Sequence, residues 1–234
     1  MKKIKRFILT TAMTMALGIS AFAESGFEFI LNVPLGLGIG IPTKTEKDTY
    51  AQNTVKSGVG FDGGVTAQLG YMFQVKDGFG ISVLGELGYA HTTRSFSANG
   101  NNFSYSRTYS FDSFQIGLLP KFNIRTFAIG IGGGVKIPIS GKSSSKVKTA
   151  NGGQKVENKL KMKDLKDMYS PAVIGYIKGT FDYSIFFMDN LAFNVGLYLE
   201  YDMIKTKASQ IIKSEMQNVF DIGVELGLKF GPKA

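Results

Sequence analysis

The sequence contains no cysteine and no tryptophan, and its single histidine is His91. Without cysteine, the chain has no disulfide, no thiolate metal site and no cysteine for lipid attachment after export. Beyond residue 23 there is no uninterrupted apolar run of about 18 residues, so no transmembrane helix is predicted. These absences exclude disulfide-stapled domains, zinc–thiolate proteins and helical membrane proteins.

The first 23 residues, MKKIKRFILTTAMTMALGISAFA, have the three parts of a secretory signal peptide. A basic start precedes an apolar stretch from Phe7 to Ile19, and Ala21 and Ala23 form an A-x-A cleavage pattern. We predict export, cleavage before Glu24, and one domain over residues 24–234. Removing the four basic residues of the leader lowers the formal charge from +9 to +5. This modest surplus in an exported chain gives no support for a nucleic-acid partner.

Three glycines, Gly58, Gly60 and Gly63, match the G-x-G-x-x-G spacing of dinucleotide-binding turns. That motif requires a buried strand before it and a helix after it. Here a polar segment precedes the glycines, and the residues from Val65 to Phe73 alternate between apolar and small or polar, which is typical of a strand. We therefore predict no nucleotide site and no other cofactor.

The same period of two recurs eight times along the chain. In the first segment, Phe27, Leu31 and Leu35 share one face, while Glu28 and Gly36 lie on the other. The eight alternating segments run over about residues 27–40, 58–73, 79–89, 114–122, 127–139, 173–185, 191–202 and 220–230. In the fourth segment the phase slips near residues 111–114, which predicts a bulge.

Volume decides which face of these strands points outward. The apolar faces carry far more large side chains than the interior of an eight-stranded barrel can hold. The other face is rich in glycine with scattered charges, which would make a poor soluble exterior. We therefore predict that the apolar face meets lipid and the glycine face lines the lumen. The fold class is an all-β, eight-stranded, antiparallel transmembrane barrel with up-and-down meander topology.

The links between strands alternate in length. QVKDG, NIRT and FMDN are short, whereas the alternate links are several times longer. Outer-membrane barrels have short periplasmic turns and long extracellular loops, so we expect periplasmic termini and an outer-membrane location. Aromatic residues mark both ends of the strands and are predicted to form interfacial girdles. They include Phe27, Phe73, Phe79, Phe122, Phe127, Phe186, Phe187 and Phe230 at the short-turn end, and Tyr89, Tyr105, Tyr109, Tyr169 and Tyr201 toward the other.

The strand number, the loop asymmetry, the girdles and the closing stretch GVELGLKF together resemble the small outer-membrane β-barrels of the OmpA transmembrane-domain, OmpX and OmpW type. The closing stretch places Leu226, Leu228 and Phe230 on one face and is similar to the C-terminal signal that the barrel-assembly machinery reads. GPKA follows the aromatic residue. The resemblance implies an outer-membrane barrel and the assembly machinery as a partner during biogenesis.

Ionisable residues on the inward face are predicted to form a network in the lumen. Glu28 and Lys229 sit at matching heights on the first and last strands and are expected to pair. The predicted network consists of Glu28, Asp62, Glu86, Lys136, Lys178, Glu200, Asp202, Asp221, Glu225 and Lys229. Because carboxylates outnumber lysines, we expect a hydrated, cation-attracting cavity that opens toward the loops. The alternative is a closed ionic plug.

Three functions are compatible with this architecture. The first is a structural or adhesive surface protein that acts through a basic loop, residues 141–170, with outer-membrane lipid, lipopolysaccharide or host acidic glycans and matrix as partners. Its lysines are Lys142, Lys146, Lys148, Lys155, Lys159, Lys161, Lys163 and Lys166. A solvated loop without a ligand is the simpler alternative.

The second function is a narrow, cation-preferring pore or small-solute conduit.

The third function is a lipid A-modifying enzyme. Its only histidine would be His91 in YAHTTRS, and Thr93 occupies the position where a deacylase-type pattern has serine. Nucleophile, base and orienting group must converge for such catalysis. We predict no enzymatic activity, no catalytic residue and no metal site.

Overall fold

The computed structural model describes residues 25–208 and 214–234. This part of the chain forms ten strands and two short helices, and neither helix is long and apolar enough to cross a membrane. The strands are β1 (Gly26–Ile41), β2 (Thr54–Lys76), β3 (Phe79–Gly100), β4 (Phe103–Leu118), β5 (Lys121–Ile124), β6 (Phe127–Thr149), β7 (Gly152–Leu160), β8 (Tyr169–Met188), β9 (Leu191–Thr206) and β10 (Met216–Phe230). The helices are α1 (Lys44–Thr49) and α2 (Met162–Met168). The predicted signal peptide lies outside the described residues.

All strand pairings are antiparallel. β1 pairs with both β2 and β10, and the pairings continue from β2 through β3, β4, β6, β8 and β9 to β10. The sequence of pairings therefore returns to its starting strand. The fold is an all-β antiparallel meander, as the alternation predicts.

The strand number is ten, so the predicted number of eight is not confirmed. β5 begins after a break at Leu119 and Pro120 and pairs with β3 and β6, which are also the neighbours of β4. β7 pairs with the upper part of β6 and forms a hairpin with it. The two extra strands are thus a continuation of β4 and an extension of β6.

Two-residue turns join the strands at one end, at residues 77–78, 125–126 and 189–190. Gly78 and Arg125 have φ values of 72° and 55° there, a region that glycine enters without steric cost. At the opposite end the predicted long loops are partly strand. β3 and β4 continue until only Asn101 and Asn102 connect them.

Burial follows the alternation along each strand, with apolar residues outside and polar residues inside. Leu37, Ile131 and Leu197 expose 52%, 64% and 59% of their surface, whereas Glu28 and Gln68 expose none. A water-soluble protein has the opposite distribution. The apolar face of each strand therefore points outward and the polar face points inward, as the sequence predicts.

Inward glycines make room for large side chains from other strands. A β-carbon at Gly117 would overlap the hydroxyl of Tyr176, and one at Gly36 would overlap that of Tyr198. Only glycine fits at these two positions, because the tyrosine hydroxyls approach the backbone too closely for a side chain. Gly63 lies opposite Leu35, on the outward phase, so the three glycines of the nucleotide-like spacing do not share a face.

The slip predicted at residues 111–114 of β4 is wrong, because β4 keeps its odd-numbered residues buried through this region and pairs with β3 without a shift. A register shift does occur between Asp112 and Ser113 in the β4–β6 pairing, but it arises in β6. The unpaired residue is Ile139 of β6, since Ser113 pairs with Pro138 and Asp112 pairs with Ser140. Above this bulge, the even-numbered residues of β6 point outward.

The girdle prediction is wrong for two tyrosines. Tyr109 and Tyr169 expose only 6% and 2% of their surface, because they pack inside an apolar cluster with Phe111 and Leu165. Above the bulge the upper strands bury their inner face against α2. A tyrosine in this region therefore belongs to a core and not to a lipid interface.

Candidate functional site: a charged interior and a basic outer face

All ten residues predicted to line the lumen are buried inside the ring of strands. Three layers of charged groups follow one another from the two-residue turns upward. In the lower layer, Lys229 Nζ lies 2.6 Å from Glu28 Oε1, the pair expected from their matching heights. Ser82 also donates a hydrogen bond to Glu28.

The middle layer is centred on Lys178. Its Nζ lies 2.5 Å from Glu225 Oε1 and 3.4 Å from Glu86 Oε2. Glu86 also accepts hydrogen bonds from Gln68, Gln115 and Tyr176. One lysine therefore joins two carboxylates from opposite parts of the ring.

The upper layer is centred on Lys136. Its Nζ lies 2.5 Å from Glu200 Oε1 and 2.6 Å from Asp202 Oδ2. Asp62 and Asp221 share this layer, but neither forms an ion pair with a lysine or arginine of the described chain. The upper layer is consequently the most acidic part of the interior.

Sequence reasoning missed Lys121 and Asp182, which form a fully buried ion pair with 2.8 Å between Nζ and Oδ2. The alternation continues unbroken through the break between β4 and β5, so it would have placed Lys121 on the inward phase. Asp182 was already on that phase. With this pair included, the buried carboxylates of the interior number eight and the lysines four.

The interior is closed above the upper layer. Ile174 of β8 pairs in register with both Lys136 and Ile204, and it belongs to the apolar cluster that contains Leu165 of α2. Beside this cluster, the buried Arg94 forms hydrogen bonds of 2.8 and 2.7 Å to Glu46 of α1. An apolar cap and an ion pair thus cover the charged interior.

The interior contains a small cavity in the upper layer, which the apolar cluster separates from the loops, so the predicted opening toward the loops is wrong. The volume of the cavity is about 20 Å³, and its lining includes Asp62, Lys136, Glu200 and Asp221. This volume accommodates about one or two water molecules. Most of the interior therefore corresponds to the ionic plug that the sequence left as the alternative.

The lysines of the basic loop divide into two groups. Lys142, Lys146 and Lys148 lie on β6, and Lys155 and Lys159 lie on β7, whereas Lys161, Lys163 and Lys166 lie in or next to α2. In the hairpin, Lys142 pairs with Lys159 and Lys146 pairs with Lys155. All five hairpin lysines consequently point to the same side, which we call the basic face.

The basic face is continuous with the outer wall of the ring. Next to it, β4 contributes Ser106 and Ser110, which pair with Lys146 and Lys142. Two residues below Lys142, Ser140 Oγ donates to the outward carboxylate of Asp112 over 2.8 Å. The basic face therefore lies next to the exposed apolar surface, on the side away from the two-residue turns.

Glu157 is the only carboxylate on the basic face. Its oxygens lie 2.6 Å from Lys155 Nζ and 3.0 Å from Lys142 Nζ. Hydrogen bonds from these two ammonium groups lower the pKa of Glu157 to about 2. Its negative charge is thus constant at all physiological pH values, and it leaves Lys146, Lys148 and Lys159 without an ion-pair partner within the described chain.

His91 lies on the outer wall below the basic face. Its Nδ1 is 2.8 Å from Asp112 Oδ1, and its Nε2 is 3.5 Å from Thr93 Oγ1. Thr93 donates its hydroxyl proton to the carbonyl oxygen of Phe61 over 2.9 Å, and it exposes only 5% of its surface. The Thr93 hydroxyl is therefore neither accessible nor directed at His91, as a nucleophile would have to be.

No protein-family model matches the sequence, and no curated protein matches it. Several solved structures are similar to the chain. Ail, the attachment invasion locus protein of Yersinia pestis, matches at 10% identity over 87% of this chain and 98% of its own, with a TM-score of 0.34. The outer membrane protease OmpT from Escherichia coli matches at 9% identity over 90% and 98%, with a TM-score of 0.36.

A third match is the outer membrane protein OprG from Pseudomonas aeruginosa, at 11% identity over 89% of this chain and 97% of its own, with a TM-score of 0.31. These neighbours are small outer-membrane β-barrel proteins. At such identities and TM-scores they assign no activity to the chain, and the expectation that it is not an enzyme stays a prediction.

Proposed function

We propose that the chain is an outer-membrane β-barrel surface protein whose basic face binds phosphate groups of outer-leaflet glycolipid. The observation that carries this proposal is the alignment of five lysines on one side of the β6–β7 hairpin, with two lysine pairs directly opposite each other. Like charges in directly opposed positions destabilise a sheet unless an anion lies between them. Glu157 supplies only one such anion.

The membrane location is inferred from the distribution of side chains, which is the reverse of that in a water-soluble protein. Exposed apolar side chains surround the ring, while the charged and amide side chains lie within it. Because the strand pairings close into a ring, no strand within the exposed apolar surface has a free backbone edge. A sheet exposed to lipid must meet this condition. In this proposal β4 and β5 form one strand of the barrel wall and β7 stands outside it, so eight wall positions cross the membrane. The short turns then face the periplasm and the basic face lies outside the cell.

Phosphorylated glycolipid is favoured over an acidic host glycan because of where the basic face lies. It continues the wall immediately above the apolar band and faces sideways, toward neighbouring lipid headgroups, and not outward along the barrel axis. Each lysine near an anionic membrane surface contributes about 1 kcal/mol of attraction. Serine hydroxyls on β4, at Ser106 and Ser110, add hydrogen-bond donors beside the lysines.

Binding of lipopolysaccharide to the folded protein in detergent tests the proposal. Lys146→Gln with Lys159→Gln should weaken binding by about thirtyfold at low salt, since two lysines contribute about 2 kcal/mol. Lys163→Gln with Lys166→Gln is the matched control, because these lysines belong to α2 and not to the basic face. Equal losses in both variants would refute a defined face. Binding of a sulfated polysaccharide but not of lipopolysaccharide would replace the lipid ligand with a glycan and favour an adhesive role.

The packed interior counts against a narrow pore. A cation that crossed the interior would have to pass the lower pair, the Lys178 layer, the Lys136 layer and the apolar cap. Each of these occupies the cross-section with buried side chains. We therefore do not propose conduction as the function.

A further inference from the structure

We propose that the upper layer of the interior binds one divalent cation of the calcium or magnesium class. Glu200, Asp202 and Asp221 are all buried, and each offers a carboxylate oxygen within 4.8 Å of the other two. They belong to the neighbouring strands β9 and β10, and Asp221 pairs directly with Glu200 in register. The cluster is thus fixed by the sheet and not by a loop.

A second observation points to a ligand. Asp62, which belongs to β2, exposes 4% of its surface and directs its Oδ2 into this cluster with no hydrogen-bond partner in the described chain. Its other oxygen accepts the backbone N–H of Thr93 over 2.7 Å, which fixes the orientation of the carboxylate. Both carboxylate oxygens of Asp221 and Oδ1 of Asp202 also lack partners within residues 25–208 and 214–234.

Gly38 provides the space in which these oxygens meet. It pairs with Asp221 on one side and with Gly60 on the other. A β-carbon at Gly38 would lie 2.5 Å from Asp62 Oδ2, 2.7 Å from the carbonyl oxygen of Thr93 and 2.9 Å from Asp221 Oδ1. The two unpartnered oxygens therefore converge on the same point above the glycine.

The charges of the layer require compensation. Four carboxylates surround one ammonium group, that of Lys136, which already contacts Glu200 and Asp202. Buried carboxylates without partners are costly, and a divalent cation would offset most of the excess. Sets of carboxylate oxygens select hard cations such as Ca²⁺, Mg²⁺ or Mn²⁺. The adjoining cavity of about 20 Å³ has room for a coordinating water.

The sequence places all four carboxylates on the inward face, but it does not show that they converge on one point, because they come from three separate segments of the chain. The absence of cysteine excludes a thiolate metal site. An all-carboxylate site needs no cysteine, so the prediction of no metal site did not consider it. The site is also separate from the basic face, so its failure would leave the proposed glycolipid binding unaffected.

Calcium and magnesium chlorides, added to the full protein folded in detergent and freed of metal by chelation, test the inference. Calorimetric titration should show one site, and the unfolding temperature should rise with cation concentration. Asp221→Asn should abolish that rise and weaken binding by about tenfold or more. The matched control is Asp167→Asn, which removes an exposed carboxylate from α2 and should leave both measurements unchanged.

Two further results separate a cation site from a merely structural cluster. Asp221→Asn should be more stable than the unmodified protein in chelator, because it relieves repulsion, and less stable in saturating calcium. Gly38→Ala keeps every charge but should abolish cation binding by displacing Asp62, Asp221 and the backbone of Thr93, while circular dichroism checks that its strand content is unchanged. Absence of binding in the unmodified protein, together with an infrared carbonyl band of a protonated carboxyl group at neutral pH, would overturn the proposal in favour of a shared proton. Equal binding by the Gly38→Ala protein would overturn it too.

Discussion

Replacing Lys178 with methionine should destabilise the folded protein by about 3–5 kcal/mol, because it leaves a buried carboxylate without its cation. Lys178 exposes 2% of its surface and contacts Glu225 over 2.5 Å and Glu86 over 3.4 Å. Methionine is similar in length and apolar. The change therefore removes charge without leaving a large void.

The two carboxylates should not contribute equally to this cost. Glu86 would keep hydrogen bonds from Gln68, Gln115 and Tyr176. Glu225 exposes none of its surface and would keep only a 3.3 Å hydrogen bond from Asn32. Most of the destabilisation should therefore come from Glu225.

Double variants test this division. Lys178→Met with Glu225→Gln removes both charges of the short pair and should recover most of the lost stability, since neutral replacements of a buried pair are often tolerated. Lys178→Met with Glu86→Gln should recover little, because Glu225 remains unpaired. The coupling of Lys178 to each carboxylate is the change in unfolding free energy of the double variant minus the sum of the changes in its two single variants.

Urea titrations in lipid vesicles, followed by circular dichroism and by the gel mobility of folded against unfolded protein, give the free energies. A loss of less than about 1 kcal/mol for Lys178→Met would refute the picture of a dry ionic interior, because a hydrated lysine would be easily replaced. Equal rescue by Glu86→Gln would refute the division between the two carboxylates.

The other predictions concern the outer wall, the loops and the interior. Arginine at Ile131 or Val195 should cost about 2–4 kcal/mol in vesicles, whereas arginine at exposed Val156 on β7 should be nearly neutral; similar costs at all three positions would contradict a lipid-facing band. Protease added to intact cells should cut within residues 141–168, and cleavage only at Lys76 or Arg125 would invert the orientation. Planar bilayers containing the protein should show no steady conductance, because the interior is filled; open-channel currents would contradict this. Purified protein should release no fatty acid from lipid A, and release that His91→Ala abolishes would restore the enzyme hypothesis.

Most of the fold follows from one physical regularity. A strand places successive side chains on opposite faces, so the alternation from Phe27 to Ile39 reports which face is apolar wherever it occurs. The same regularity assigned all ten charged residues to the interior, and counting residues from the short-turn end placed Glu28 and Lys229 at one height. If the alternation of β4 is continued past Pro120, it also predicts that Lys121 points inward.

The upper part of the molecule was less predictable, because alternation there no longer separates lipid from lumen. Above the bulge at Ile139 the inner side buries an apolar cluster beside Arg94, while the outer side carries hydroxyl groups and lysines, so apolar side chains there mark the inside. Tyr109 and Tyr169 were misassigned for this reason. Leu165 was missed because a single buried leucine in a short helix leaves no periodic signal. The alignment of the hairpin lysines depends on the pairing register, which sequence alone does not fix.

The change in side-chain direction at the bulge also explains why some lysines form buried ion pairs and others lie on the outer surface. Below it, inward charges need partners because water is scarce, and lysines such as Lys178 are held between carboxylates. Above it, the register shift turns Lys142 and Lys146 to the outside, where Glu157 cannot neutralise them all. If Ile139 and Ser140 were both deleted, Gly141 would take the place opposite Asp112, the even-numbered residues above it would turn inward, and Lys142 would point toward the apolar cap. That protein should fold poorly or lose the upper pairing of β6. Deletion of Ile139 alone is the matched control, because it removes only the unpaired residue and leaves Pro138 opposite Ser113 and Ser140 opposite Asp112. Normal folding of the double-deletion protein together with undiminished lipopolysaccharide binding would show that the pairing register above the bulge does not set the direction of the basic face.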